Sequence, residues 1–386
     1  MTNPIRVVVA DDSPFVCRLL TNYLQSSADF QVVGTALNGL RALQLVNELK
    51  PDVVTLDIEM PVMDGIKALG MLMIENPTPV IMVSGISREA AATTLKALDM
   101  GAVDFILKYN PDSPVDPEIL RQDIIAKVRS ASKIKVIRSL KKGRQGQALP
   151  IVTATALHDP QKIEFSYPSL KNKEDTPYVT PGISLLPGGI VVVGASTGGP
   201  VALRELFSRL PVDFPAAIIV VQHIPPSFTE VLAAQLDRRI ALKVREAKNG
   251  DPLEPGVVLI APGDHHLLLG RDGNVIVNQG PMIGGHRPAV DVTMQSVAQL
   301  YGSRTTGIIL TGMGNDGSQG MVAIRSKKGR TYAQSGDTCV VNGMPQRAVE
   351  KGVVDRIGSP SDIGRFIVQD CVNSMTLSRM KYVQAS

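Results

Sequence analysis

Along residues 1–125, short apolar runs alternate with stretches whose apolar positions recur every three or four residues. The runs are Ile5–Ala10, Gln31–Ala36, Asp52–Asp57, Pro79–Ser84 and Val103–Leu107. They are rich in Val and Ile and mostly apolar throughout, which predicts parallel strands buried on both faces. Helical spacing falls between them at Pro14–Ser26, Gly39–Leu49, Gly65–Glu75 and Arg88–Met100, with a last helix running from Pro117 into a basic segment. Five such units in so short a stretch predict a flavodoxin-like, doubly wound sheet.

From about Lys141 to Pro187 the periodicity is lost, and Pro, Gly, polar and charged residues dominate. So long a stretch without pattern predicts a flexible linker and a domain boundary. Alternation resumes with apolar runs at Ile190–Gly194, Ala217–His223, Val257–Ala261 and Gly307–Thr311. Helical patterns follow at Val201–Leu210, Phe228–Asp237, Val290–Tyr301 and Gly317–Lys327. Gly270-Arg271-Asp272-Gly273 predicts the turn of a hairpin over Leu267–Val277. The expected fold class is α/β, with two doubly wound parallel-sheet domains at 1–125 and 184–376. Residues 126–183 supply a helix end and the linker.

Length and composition narrow the setting. A chain of 386 residues with 44% hydrophobic content is ample for two cores. No apolar run approaches the roughly 20 residues of a membrane span, so no membrane insertion is expected. The start of the chain runs directly into a strand pattern, without the features of a signal peptide. Cys17, Cys339 and Cys371 are far apart and form no C-x-x-C pair, so each is expected to be a small buried hydrophobe. A cytoplasmic protein, monomeric by default, is the expectation. The net charge is +4, unevenly spread: nine basic against sixteen acidic residues in 1–125, eleven against four in 126–183, and twenty against sixteen in 184–386. The basic run (Lys127, Arg129, Lys133, Lys135, Arg138, Lys141, Lys142, Arg144) raises nucleic acid as a partner. It has no interleaved aromatics and no base-reading motif after it, so a solvated helix end is favoured and no nucleic acid is expected.

In an open parallel sheet, ligands bind beyond the carboxyl ends of the strands. Those ends carry Asp11-Asp12, Asp57, Ser84 and Lys108. Converging carboxylates raise one another's pKa unless a cation neutralises them, and hard oxygen ligands suit Mg²⁺. With Lys108 and a hydroxyl alongside, the group reads as a carboxylate that takes a phosphoryl group. Residues 1–125 thus resemble a response-regulator receiver domain, on Val9-Ala10-Asp11-Asp12-Ser13, Asp57-Ile58-Glu59-Met60-Pro61-Val62-Met63-Asp64-Gly65, Ser84 and Lys108. The resemblance implies Asp57 as phosphoacceptor, Mg²⁺ on Asp11, Asp12 and Asp57, a Ser84 hydroxyl that turns to the phosphate, Phe105 following it, and a histidine kinase as phosphodonor. One position departs from the pattern: Tyr109 stands where the family usually has proline.

The second half carries Val193-Gly194-Ala195-Ser196-Thr197-Gly198-Gly199-Pro200, an apolar run ending in a glycine-flanked serine before a helix. This is G-x-S-x-G at Gly194, Ser196 and Gly198. By itself it fits a nucleophile, a phosphate cradle or a tight turn. A nucleophilic serine needs a base and an orienting acid. Of the five histidines, His158 falls in the linker, His265-His266 in a turn and His286 in a glycine-rich loop. His223 ends the run after the serine unit and is the candidate base, with a satisfied buried histidine as the alternative. Metal ligation by His265-His266 is disfavoured for want of a second ligand pair. Asp316 follows another apolar run and is the candidate acid, or the N-cap of the next helix, or both.

The order Ser, His, Asp differs from that of α/β-hydrolases. It resembles the catalytic domain of chemotaxis protein-glutamate methylesterases, as do four blocks: Gly194–Pro200, Gln222-His223-Ile224-Pro225 through Phe228-Thr229, Thr311-Gly312-Met313-Gly314-Asn315-Asp316-Gly317, and Cys339–Pro345. The resemblance spans about 184–370 and implies hydrolysis of glutamate methyl esters on cytoplasmic chemoreceptor helices, with deamidation of receptor glutamines as a second activity. Ser196 would attack, His223 Nε2 take its proton, Asp316 hold the imidazole, and backbone N–H groups near Thr197 and Met313 form the oxyanion hole. No cofactor is implied at that site. The fusion implies that the receiver covers the Ser196 cleft until Asp57 is phosphorylated. Two rivals stand beside this: a phosphorylation-controlled binding module with an idle hydrolase site, and a nucleic-acid-binding regulator.

Overall fold

A computed structural model of the chain describes residues 3–108, 117–137, 151–154, 186 and 188–371. Tyr109, His158, most of the expected linker and residues 372–386 lie outside them. The chain divides into two compact units, carried mainly by the residues before and after Thr155.

The first unit alternates strand and helix: β1 (Ile5–Ala10), α1 (Pro14–Gln25), β2 (Phe30–Ala36), α2 (Gly39–Leu49), β3 (Val53–Asp57), α3 (Gly65–Glu75), β4 (Val80–Ser84), α4 (Arg88–Asp99), β5 (Asp104–Leu107) and α5 (Pro117–Ala131). The five strands are parallel in the order β2-β1-β3-β4-β5, the flavodoxin-like order expected. Every residue of β3 and β4 is buried, as strands covered on both faces must be. Four helices start on side-chain caps that the sequence supplies. Ser13, Asn38, Asp64 and Ser87 accept from the backbone N–H groups of Val16, Arg41, Lys67 and Ala90. Val7, Val9, Ile81 and Val83 of the sheet pack with Leu20, Leu24, Ile124 and Val128 of α1 and α5. Beyond α5, β6 (Ile134–Ile137) pairs antiparallel with β7 (Ile151–Ala154), inside the stretch expected to be linker.

The second unit runs β8 (Ile190–Ala195), α6 (Gly199–Phe207), β9 (Ala217–Gln222), α7 (Pro226–Asp237), β10 (Lys243–Glu246), β11 (Val257–Ile260), β12 (His266–Leu269), β13 (Val275–Asn278), α8 (Val290–Tyr301), β14 (Thr305–Ile309), α9 (Ser318–Ser326), β15 (Arg330–Gln334), α10 (Met344–Glu350) and β16 (Arg356–Gly358), then a helix over 360–371. Seven parallel strands order as β10-β11-β9-β8-β14-β15-β16. The wholly buried β8 and β9 lie near the centre. The expected hairpin forms as β12 and β13, and its backbone is tied to α8 through Thr293 Oγ1 donating to Leu267 O (2.7 Å). The peripheral strands β10, β15 and β16 and the last two helices were not expected from the pattern.

Candidate functional site

Register brings the first set of candidates together. Ala10 pairs with Leu56, Asp57 with Val83, and Ser84 with Leu107. Asp11, Asp57, Ser84 and Lys108 therefore emerge at one edge, each at or just past its strand's end. Asp11 and Asp57 are buried, Asp12 is exposed, and one carboxylate oxygen of each lies within 4.8 Å of the others. Lys108 Nζ sits 3.2 Å from Asp11 Oδ2 and 2.9 Å from Asp57 Oδ2. Neither of those buried oxygens accepts a well-directed hydrogen bond. Burial pushes the Asp57 carboxyl up to about 6, with the neighbouring Asp11 adding to the effect and Lys108 opposing it. Burial likewise raises Asp11. Burial opposes charge on Lys108, but its two carboxylate partners prevail and raise its pKa. Buried, under-satisfied hard oxygens around one point fit a divalent cation such as Mg²⁺. Ser84 Oγ donates to Gly85 O (3.1 Å) and accepts from Thr94 Oγ1 (2.6 Å). Phe105 is buried, with Lys127 Nζ 5.4 Å from its ring centre. Lys127 and Arg129 of the basic run pair with Asp123 and Asp29.

The second set is assembled in the same way. Ala195 is paired with Gln222, so Ser196 and His223 are the next residues on neighbouring strands. The His223 N–H donates to Ala195 O (3.1 Å). On the other side β14 pairs with β8, and the Ser196 N–H donates to Thr311 O (3.0 Å). Gly198 has φ +78, a left-handed conformation that glycine adopts without strain, and it turns the chain into α6. Gly312 runs so close beneath the serine that a Cβ on it would stand 2.8 Å from Ser196 Cβ. The turn carrying Met313 is thereby held against Ser196, and Thr197 O accepts from Thr311 Oγ1 (2.9 Å).

Asp316 Oδ2 accepts from His223 Nε2 at 2.8 Å. The imidazole is thus turned the other way from expectation: its tip nitrogen meets the acid, and Nδ1 is the buried nitrogen without a hydrogen-bond partner. The acid's position explains this. Its carboxylate is locked by the first turn of α8, accepting the N–H groups of Val290 (2.7 Å) and Asp291 (2.9 Å), with Gly317 N–H at 2.9 Å. Asp316 therefore caps α8; α9, the helix after it, takes no side-chain cap from its N-cap residue, Gly317. Burial would raise its pKa, but the bond and charge of His223 and these backbone donors outweigh burial and lower it.

Two neighbours were missed as site residues. Asp291 Oδ1 accepts the Gly320 N–H in the first turn of α9 (2.6 Å), so Asp291 and Asp316 cap each other's helices. Burial, and then the charge of Asp316, push Asp291 up to about 7. Its only sequence signal is an acid at a helix start. His286 stacks on His223, ring centres 4.0 Å apart and planes 6° from parallel. Its glycine-rich context predicts a loop and says nothing of its neighbour. His266 opens strand β12 rather than lying in the expected turn: Nε2 bonds Pro281 O (2.9 Å) and Nδ1 accepts from the Ala289 N–H (3.2 Å). Cys17, Cys339 and Cys371 are buried and unbridged.

No helix among the described residues is long and apolar enough to cross a membrane. Residues 7–124 match the family model of the response regulator receiver domain, and residues 191–367 match that of the CheB methylesterase. A protein-glutamate methylesterase/protein-glutamine glutaminase of Symbiobacterium thermophilum is 43% identical over 358 residues, 92% of this chain and 93% of the relative. Relatives of the same name from Pyrococcus horikoshii (39% identity; 96% of this chain, 94% of the relative) and Thermotoga maritima (41%; 92% and 94%) align over nearly their full lengths. The chain belongs to the CheB methylesterase family of hydrolases, with a response regulator receiver domain ahead of the methylesterase domain.

Proposed function

We propose that this chain hydrolyses the methyl esters of glutamate side chains on chemoreceptor cytoplasmic helices, and deamidates receptor glutamines, under control of phosphorylation at Asp57. The pairing of Ala195 with Gln222, with Asp316 bonded to His223 at 2.8 Å, carries the chemical assignment. Ser196 Oγ attacks the ester carbonyl and passes its proton to His223 Nδ1, while Asp316 stabilises the imidazolium through Nε2. The carbonyl oxygen becomes an oxyanion, received by backbone N–H groups at Thr197 and Met313. Collapse expels methanol, which takes the proton from His223. Water then attacks the acyl-enzyme, giving its proton to His223, which returns it to Ser196 as glutamate leaves. With an amide, ammonia leaves in place of methanol.

In the receiver, Asp57 accepts the phosphoryl group from a histidine kinase. Asp11, Asp12 and Asp57 would hold Mg²⁺, which supplies charge neutralisation to the phosphoryl oxygens. Lys108 holds the incoming group by its charge, and Ser84 turns toward it. Phosphorylation favours a state in which the Ser196 cleft is open to substrate. Domains of 1–125 and 184–376, a cytoplasmic location and a monomer fit this role.

The test is methanol release from methyl-esterified receptor membranes by the full chain, with and without a small phosphodonor and Mg²⁺. Ser196→Ala is expected to abolish release, and Asp57→Asn to remove the response to phosphodonor while leaving basal release. Release that survives Ser196→Ala refutes the assigned nucleophile. No release by the unaltered protein under any condition favours a binding module with an idle site.

A further inference from the structure

His286 is built into its place with more care than a surface loop needs. It sits in a short excursion between β13 and α8. Ile283 and His286 exchange backbone hydrogen bonds (3.1 and 3.0 Å) around Gly284 and Gly285, both at positive φ, forming a tight hairpin-like turn. Behind it, Arg287 Nε and Nη2 reach Asp264 Oδ1 (3.0 and 2.6 Å), and Nη1 donates to Gly280 O (2.9 Å). Buried His266 binds both ends of the excursion, at Pro281 O and the Ala289 N–H. These ties fix the backbone of His286 and the chain on either side of it, and the His286 ring lies flat against His223.

Resting on the assignment of Ser196 and His223 above, we infer that His286 is a positioning residue for the esterase reaction, a stacking platform that fixes the plane of the His223 imidazole. Asp316 holds the buried His223 ring by one hydrogen bond, at Nε2, and no second hydrogen bond opposes rotation about that contact. A parallel ring at 4.0 Å removes this freedom, so that Nδ1 is held on one line of approach for the serine proton. The same π face lies over the ring that becomes cationic when Ser196 gives up its proton, an arrangement that favours the charged form. The platform acts through His223 and asks for an aromatic face, not for an ionisable group.

Three full-length variants test this with the phosphodonor-activated protein, read by methanol release and by the rate at which a fluorophosphonate labels Ser196. His286→Ala is expected to lower kcat and the labelling rate about tenfold with KM little changed, the size expected for loss of one aromatic pair. His286→Phe is expected to keep at least about half of wild-type kcat, because it restores the face without the imidazole. Thermal melting identifies any variant that has lost its fold, and Phe then decides the matter. Asp264→Asn, which loosens the loop without touching His223, is expected to fall between the two. Wild-type activity in His286→Ala, or a His286→Phe as slow as Ala, overturns the inference. Failure of the unaltered protein to release methanol or to be labelled would instead overturn the underlying assignment of Ser196.

Discussion

At the scale of single residues, Asp316 and Asp291 show how one buried carboxylate is held toward its ionised form while its neighbour is pushed toward its neutral form. Asp316 meets His223 and three backbone N–H groups, and these outweigh the cost of burying its charge. Asp291 meets backbone donors and a carboxylate, and its pKa rises to about 7. Between the ordinary carboxylate value and about 7, the unfolded chain loses this proton while the folded chain keeps it. The contribution of Asp291 is therefore whole in acid and is lost as pH rises through that range. Asp291→Asn is expected to remove this slope, so that its melting temperature gains on wild type from about pH 5 to about pH 8. Parallel melting curves across the range would show that Asp291 does not titrate there. Ser196, His223 and Asp316 were legible because each follows an apolar run. Asp291 was not, because an acid in a helix's first turn is common and only a second helix laid against it gives it a partner.

At the scale of elements, register does the assembling. Strands β1, β3, β4 and β5 of the first unit and β8 and β9 of the second deliver site residues at or just past their ends, and a shift of one position would turn such a residue to the other face. The turn at Gly312 adds a close steric constraint beside the serine. A Cβ there would stand 2.3 Å from Met344 Sδ as well as 2.8 Å from Ser196 Cβ, so Gly312→Ala must displace the serine turn or α10. At least a hundredfold loss of methanol release is expected, with the receiver still accepting phosphate at Asp57, on the scale of a misplaced reacting group. Near-normal release from Gly312→Ala would show that the turn yields without moving Ser196. The helices of the first unit were readable to within about a residue because Ser13, Asn38, Asp64 and Ser87 announce their starts. The strands β10 and β16 were not: Lys243-Val244-Arg245-Glu246 and Arg356-Ile357-Gly358 are short, charged edge segments without a period.

At the scale of the whole molecule, two separate cores carry two chemistries. Each unit has its own sheet and its own buried cluster. Calorimetry of the full chain is expected to show two transitions. Beryllofluoride with Mg²⁺ should raise one, and EDTA should reverse that gain. Covalent labelling of Ser196 should raise the other. A single transition that moves as a whole with either treatment would mean that the cores unfold together. What the sequence determined by itself was whatever local chemistry dictates. Apolar runs specify buried parallel strands, caps specify helix starts, and the polar residues that recur after several of these runs specify which edge of the sheet is reactive. The tertiary structure alone decided which way the His223 ring faces, which helix Asp316 caps, and that His286 and Asp291 join the site. These depend on side chains from segments tens of residues apart, here β9, the loop before α8, and the loop before α9. Periodicity reports which face of an element is buried, but not which distant group it is buried against.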